Sequence, residues 1–206
     1  MSKTASRLYF LLCLFVLVTG CNALAVQSPE EVVAQASQRM IDALTENKAT
    51  LKDDPTVIYN LIETIVLPHF DVDYIVRLIL GKYWRQATPQ QRTRFSEAFQ
   101  ILIMNTYADA LLEYSGEKVK VLPVAADLSQ VRTVIVHSLL DTTETKSIEV
   151  NYRMRKKEDE WKVIDFTVED VSLILNYKHS FAEQIKSKGL DALIDSIKNK
   201  NADFKF

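Results

Sequence analysis

A chain of 206 residues that is 48% hydrophobic and 25% charged carries enough apolar surface to bury a core and too much to stay disordered. That length allows one domain or at most two small ones, and four glycines against nineteen aromatic residues favour a compact mixed fold over a loop-rich one. The formal charge of −2 gives no basic excess, which excludes nucleic acid as a partner.

The chain opens like a secretory leader over residues 1–25. Lys3 and Arg7 supply a positive start, and Leu8 to Val18 is an apolar stretch too short to span a bilayer well. Ala23-Leu24-Ala25 fits release of a soluble protein beginning at Val26, whereas Val18-Thr19-Gly20-Cys21 resembles a lipobox that would lipidate Cys21. Either signal places the domain beyond the inner membrane of a bacterial cell. Both cysteines, Cys13 and Cys21, lie in this leader, so a product starting at Val26 has no disulfide and no thiol ligand. It keeps 23 of the 25 basic residues against 27 acidic ones, a net charge of −4.

Ser28-Pro29-Glu30-Glu31 is a capping box with proline at the first helical position, and Val32, Ala36, Met40, Ala43 and Leu44 follow on one face. Asp54-Pro55 starts a second helix, with Ile58, Leu61, Ile62 and Ile65 inward, which is expected to stop before Pro68. Asp71 caps a short segment from Val72 to Leu80 that ends at Gly81. Thr88-Pro89-Gln90-Gln91, a second capping box, opens the longest helix, expected to reach Ser115-Gly116 as a rod of about 40 Å. Phe95, Phe99, Leu102, Ile103, Thr106, Tyr107, Ala110, Leu111 and Tyr114 form one stripe along it, suited to core packing or to one wall of an elongated apolar cavity.

From Lys118 to Phe166 the apolar period changes to two. Val119 and Val121, then Val131 to Leu140, then Ile148, Val150, Tyr152 and Met154, then Trp161 to Phe166 predict four strands joined by short polar loops, an antiparallel meander. Arg153, Arg155, Lys156 and Lys157 are read as a solvated face, with a basic rim near an anionic headgroup as the alternative. The strand ending at Phe166 passes almost directly into a helix from Val168 to Lys188, with Val171, Ile174 and Leu175 inward and Glu169 and Asp170 favouring its N-terminus. Leu173, Ile174 and Leu175 run consecutively, so this helix must meet apolar material on two sides, either two layers of protein or one layer and a ligand. Gly189 separates it from a terminal helix carrying Leu190, Leu193, Ile194 and Ile197, and Asn199 onward is expected to fray. The order predicts an α+β domain over residues 26–206, with helices on one face of a twisted four-stranded antiparallel sheet enclosing an apolar cavity.

Catalytic signatures are sparse. His69, His137 and His179 lie far apart with no metal-ligand spacing, and neither a serine nucleophile elbow nor a glycine-rich phosphate loop is present. No metal, cofactor or catalytic group is therefore expected. Asp165, between Ile164 and Phe166, is the best candidate acid or base: inside a greasy cavity its carboxyl would be desolvated as in isomerases of similar helix-over-sheet shape, whereas facing the turn it would simply accept bonds from it.

Several motifs recur together in one family. They are His69-Phe70-Asp71, Leu80-Gly81-Lys82-Tyr83-Trp84-Arg85, Thr88-Pro89-x-Gln91 with Phe95 and Phe99, Thr106-Tyr107-Ala108, Val150-x-Tyr152, Trp161-Lys162-Val163-x-Asp165, and Val168-Glu169-x-Val171-Ser172-Leu173 followed by Asn176-Tyr177 and Phe181. In order and spacing this set resembles the MlaC family, the toluene-tolerance type, with departures at Asp170, where the family usually has glycine, and at Lys178, where it usually has arginine. The resemblance implies an NTF2-like sheet with a helical part. It further implies a periplasmic phospholipid carrier without a cofactor, working between an outer-membrane lipoprotein-porin complex and an inner-membrane ABC transporter complex with its periplasmic lipid-binding subunit.

Burying two acyl chains of about fifteen methylenes, at about 0.8 kcal/mol each, is worth more than 20 kcal/mol, so a carrier must enclose the tails. Periodicity places Phe99, Ile103, Tyr107, Ile148, Val150, Tyr152, Val163, Val171, Ile174 and Leu175 along a slot between the long helix, the sheet and the helix after Phe166, with the headgroup at the mouth. Two other classes fit the same elements. One is a small-molecule isomerase or hydrolase, for which Asp165→Asn would abolish turnover without changing lipid content. The other is an anchored structural lipoprotein with an acylated Cys21.

Overall fold

A computed structural model describes residues 26–114, 116–141 and 147–203. The leader, both cysteines and Ser115 fall outside these residues, and with them the choice between cleavage after Ala25 and lipidation of Cys21. Helix α1 spans Pro29–Glu46, α2 Lys48–Asp53 and α3 Val57–Leu61. A π-helical turn over Ile62–Val66 and a 3-10 turn over Leu67–His69 follow. Next come α4 (Val72–Leu80), α5 (Lys82–Gln86) and α6 (Pro89–Leu112), then strands β1 (Lys118–Val121), β2 (Thr133–Asp141), β3 (Ser147–Lys157), β4 (Glu160–Val168) and β5 (Val171–Ser172). Helices α7 (Leu173–Lys188) and α8 (Leu190–Asp203) close the chain.

Both expected capping boxes form. The Ser28 hydroxyl accepts from the Glu31 N–H while the Glu31 carboxylate accepts from the Ser28 N–H, and Thr88 and Gln91 do the same for α6. Pro68 is passed differently from expectation. The backbone loosens into the π and 3-10 turns, Leu67 stays in the right-handed helical region at φ −58°, and the chain reaches the sheet through a parallel bridge from Phe70 to Val163. The Asp71 N–H donates to the Val163 carbonyl at 3.0 Å, and the Asp71 side chain caps α4.

The sheet is a five-stranded antiparallel meander in sequence order, one strand more than expected. The extra strand, β5, pairs Val168 with Val171 and Thr167 with Ser172 across a two-residue turn. Glu169 and Asp170 hold that turn at φ 46° and 67°, the geometry of a primed hairpin turn, rather than opening a helix at Val168. An L side chain in this region is strained, so Asp170→Gly is expected to raise unfolding stability by about 1 kcal/mol in urea titration. An unchanged or lowered midpoint would show the turn relaxed already.

Two of the four cations read as a solvated face are committed elsewhere. Arg155 Nε and Lys157 Nζ lie 3.2 and 3.3 Å from the carboxylate of buried Asp71, and the Arg155 guanidinium sits 4.3 Å over the Tyr74 ring. The expected fraying does not begin at Asn199 either, and residues 204–206 lie outside the described residues. Helix α8 continues to Asp203, and the Asn201 amide donates to the Ala98 carbonyl at 2.9 Å.

The interior divides in two along α6. Its first half, with Phe95, Phe99 and Leu102, packs into a helical core with α4, α7 and α8, where Phe99 stacks on Phe95 and meets Tyr177 edge-on. Its second half, from Met104 to Leu112, packs against α3, shares a cluster with Met40 and Leu44 of α1, and faces the sheet across open volume.

Candidate functional site: an apolar cavity between α1, α6 and the sheet

The inner face of the sheet is set by register. Val134, Val136, Ser138 and Leu140 on β2 lie opposite Met154, Tyr152, Val150 and Ile148 on β3, so all eight point to one side. The register shifts at Arg153/Met154, leaving Ile164 unopposed and turning Val163 to the same side as Met154. Above this face α1 presents Val33, Ala36, Ser37, Met40, Ile41 and Leu44, three and four residues apart, and α6 presents Tyr107, Ala110 and Leu111, with Tyr114 just past its end. Between these walls lies a cavity of about 540 Å3, with Val66, His69 and Phe70 along one side and Glu113 and Glu117 at one end. That volume falls among those of ligand sites, about 300–1,000 Å3.

The polar atoms along this surface are few and mostly spent. The Ser138 hydroxyl donates to the Val150 carbonyl at 2.8 Å, and the Tyr114 hydroxyl donates to the Glu117 carbonyl at 3.1 Å. Burial pushes the Tyr107 and Tyr152 phenols above their ordinary range, so both remain neutral. Tyr107 meets Phe166 edge-on at 5.2 Å, and Phe166 meets Phe70 at 6.3 Å, which stiffens the wall where α6, β4 and the 3-10 turn converge.

His69 is held below its ordinary pKa, first by burial and then by the charges of Lys162 and Arg39, with Glu160 acting the other way. A histidine depressed in the folded state binds its proton more readily when unfolded. Stability is therefore expected to fall as pH drops through the unfolded value of about 6.5, and His69→Gln to flatten that fall in denaturant midpoints. Identical profiles for the two proteins would refute this.

Five of the ten residues expected along the slot line this cavity: Tyr107, Ile148, Val150, Tyr152 and Val163. The other five do not. Phe99 and Ile174 are buried in the helical core, and Ile103 packs against it. Val171 and Leu175 are 63% and 55% exposed. The cause is the later start of α7. Beginning at Leu173, it buries Leu173, Ile174, Phe181 and Ile185 and turns Leu175 outward. The wall expected from the helix after Phe166 is supplied by α1 instead. Its signal was present: Ala36 and Ser37 put small side chains in the middle of an apolar stripe, where a filled core would place bulk.

Asp165 is not among the cavity-lining residues. Its Oδ2 accepts from the Ser172 hydroxyl at 2.7 Å and its Oδ1 from the Ile174 N–H at 3.1 Å, while the Ser172 hydroxyl in turn accepts from the Leu175 N–H at 3.1 Å. The carboxylate and hydroxyl together cap α7 and fasten it to β4. Among the described residues no cluster of His, Cys, Asp or Glu could hold a metal ion, and no helix is long and apolar enough to cross a membrane.

Comparison with known proteins agrees with this architecture. The family described as "MlaC protein" matches residues 34–199. The toluene tolerance protein ttg2D of Pseudomonas putida is 32% identical over 192 residues, covering 91% of this chain and 86% of that protein. The intermembrane phospholipid transport system binding protein MlaC of Haemophilus influenzae is 26% identical over 200 residues, covering 96% and 92%. A phospholipid-binding protein from Ralstonia solanacearum, solved in complex with a phospholipid, superposes with a TM-score of 0.81 at 23% identity, over 86% of this chain and 99% of that one. The chain belongs to the MlaC family.

Proposed function

We propose that this chain is a periplasmic carrier that shuttles glycerophospholipids between outer- and inner-membrane complexes, with the leader removed and residues 26–206 forming the lipid-binding domain. The observation that carries the reading is the apolar cavity of about 540 Å3 walled by α1, the second half of α6 and the inner sheet face. Hydrocarbon is the ligand class that such a surface suits, because it offers apolar walls and few unspent polar groups. In this reading Tyr107, Ile148, Val150, Tyr152 and Val163 contact the tails from one side and Val33, Ala36, Met40 and Ile41 from the other. The Haemophilus relative, a phospholipid transport system binding protein, and the Ralstonia relative, a phospholipid-binding protein, support the same ligand.

The membrane complexes of the Mla pathway are the partners proposed on either side, and release is expected only when a partner opens the cavity. Escape into water would otherwise carry the full cost of exposing the tails. The enzyme alternative finds little support at Asp165, since both its oxygens cap α7. Organic extraction of the purified protein followed by mass spectrometry tests the carrier reading. Two-chain glycerophospholipids in near-stoichiometric amount are expected; a chain that carries no lipid and takes none from vesicles would refute it. The mass of the mature N-terminus, read in the same experiment, distinguishes Val26 from an acylated Cys21.

A further inference from the structure

A second cavity, of about 490 Å3, opens where α1 turns into α2 against the end of α6. Leu44, Leu111 and Tyr114 line both cavities, so the two adjoin across those three side chains. Their charges differ in kind. The main cavity has Glu113, Glu117 and a histidine held toward neutrality along its lining, with no lysine or arginine. The annex has Lys48 and Lys52 and no carboxylate. These lysines are four residues apart on α2, hence on one face, and neither makes an ion pair among the described residues.

We propose that Lys48 and Lys52 form a subsite for the phosphate group of a phospholipid whose tails fill the main cavity, an inference that rests on the carrier reading. A phosphodiester at the end of buried tails must emerge near the rim. Where the main cavity adjoins the annex across Leu44, Leu111 and Tyr114, it meets two ammonium donors over an apolar floor of Leu51 and Pro55, the cations that the two linings offer beside Glu113 and Glu117. Lysine serves here as a mobile point charge without the planar fork of arginine. The subsite therefore reads the phosphate common to glycerophospholipids and leaves the rest of the headgroup in solvent.

The test loads the lipid-free mature chain from vesicles of equal parts phosphatidylethanolamine and phosphatidylglycerol and measures lipid per chain by mass spectrometry. Lys48→Glu with Lys52→Glu is expected to lower loading about tenfold for both lipids, and Lys48→Gln with Lys52→Gln to fall between. Added salt should narrow the gap between wild type and variant. Both residues are exposed, and circular dichroism checks that the variants fold. Loading equal to wild type, at the same headgroup ratio, overturns the subsite and leaves the carrier reading standing. Failure of the wild type to load overturns both. A second arm titrates inorganic phosphate alone against the lipid-free protein by phosphorus NMR. Weak or undetectable binding is expected without tails to bury, and inorganic phosphate binding as tightly as lipid would make this a free-anion site and overturn the proposal.

Discussion

Replacing Ala36 with Trp and Val150 with Phe is expected, under the carrier reading, to abolish lipid binding without unfolding the protein. Both side chains line the cavity from opposite walls, Ala36 on α1 and Val150 on the inner face of β3, so the added rings enter the cavity volume rather than a filled core. Overpacking a filled core costs about 1–3 kcal/mol, but here the rings gain apolar contacts and the thermal midpoint should hold or rise. The tails lose that space. Denying burial to even four methylenes removes about 3 kcal/mol of binding, about a hundredfold in affinity. The measurement is lipid per chain by extraction and mass spectrometry beside a thermal melt. Full lipid content in a folded double variant would place the tails elsewhere.

Asp165→Ala acts in the opposite sense, weakening the fold while sparing the cavity. At 7% exposure the carboxylate is nearly enclosed, and its removal leaves the buried Ile174 N–H and the Ser172 hydroxyl without their acceptor at the start of α7. The loss of a helix cap together with buried unsatisfied donors predicts a cost of about 2–4 kcal/mol in chemical denaturation. Asp165→Asn keeps one acceptor oxygen and should cost less. Under the carrier reading, molecules of either variant that remain folded hold lipid normally. A stable, lipid-free Asp165→Asn protein would mean that this carboxylate faces the ligand after all.

Local signals carried most of the elements. Two proline-containing capping boxes located α1 and α6, and the two-residue alternation from Ile148 to Met154 correctly divided β3 into inner and outer faces. These devices depend on neighbours within a few positions, so the chain itself displays them. The start of α7 was not legible in the same way. Glu169 and Asp170 have the composition of a helix's first turn, and only the pairing of Val168 with Val171 makes them a hairpin turn. That five-residue delay rotates the helix and exposes Leu175. The stripe on α6 hid a second ambiguity, because Phe99 and Tyr107 lie on one continuous apolar face yet meet different things. The first faces α4, α7 and α8, and the second faces open volume above the sheet. A core and a cavity ask for the same residue types, so only tertiary packing separates them. The small residues Ala36, Ser37 and Ser138, set in otherwise apolar faces, are the sequence's own record of that volume.

The location of the tails is the central claim, and photo-crosslinking reads it directly. A glycerophospholipid carrying a diazirine near the end of one acyl chain, loaded from vesicles and irradiated, should mark residues of α1, the second half of α6 and the inner sheet face. Adducts confined to the helical cluster around Phe99, Ile174 and Phe181, or to the exposed surface at Val171 and Leu175, would contradict it.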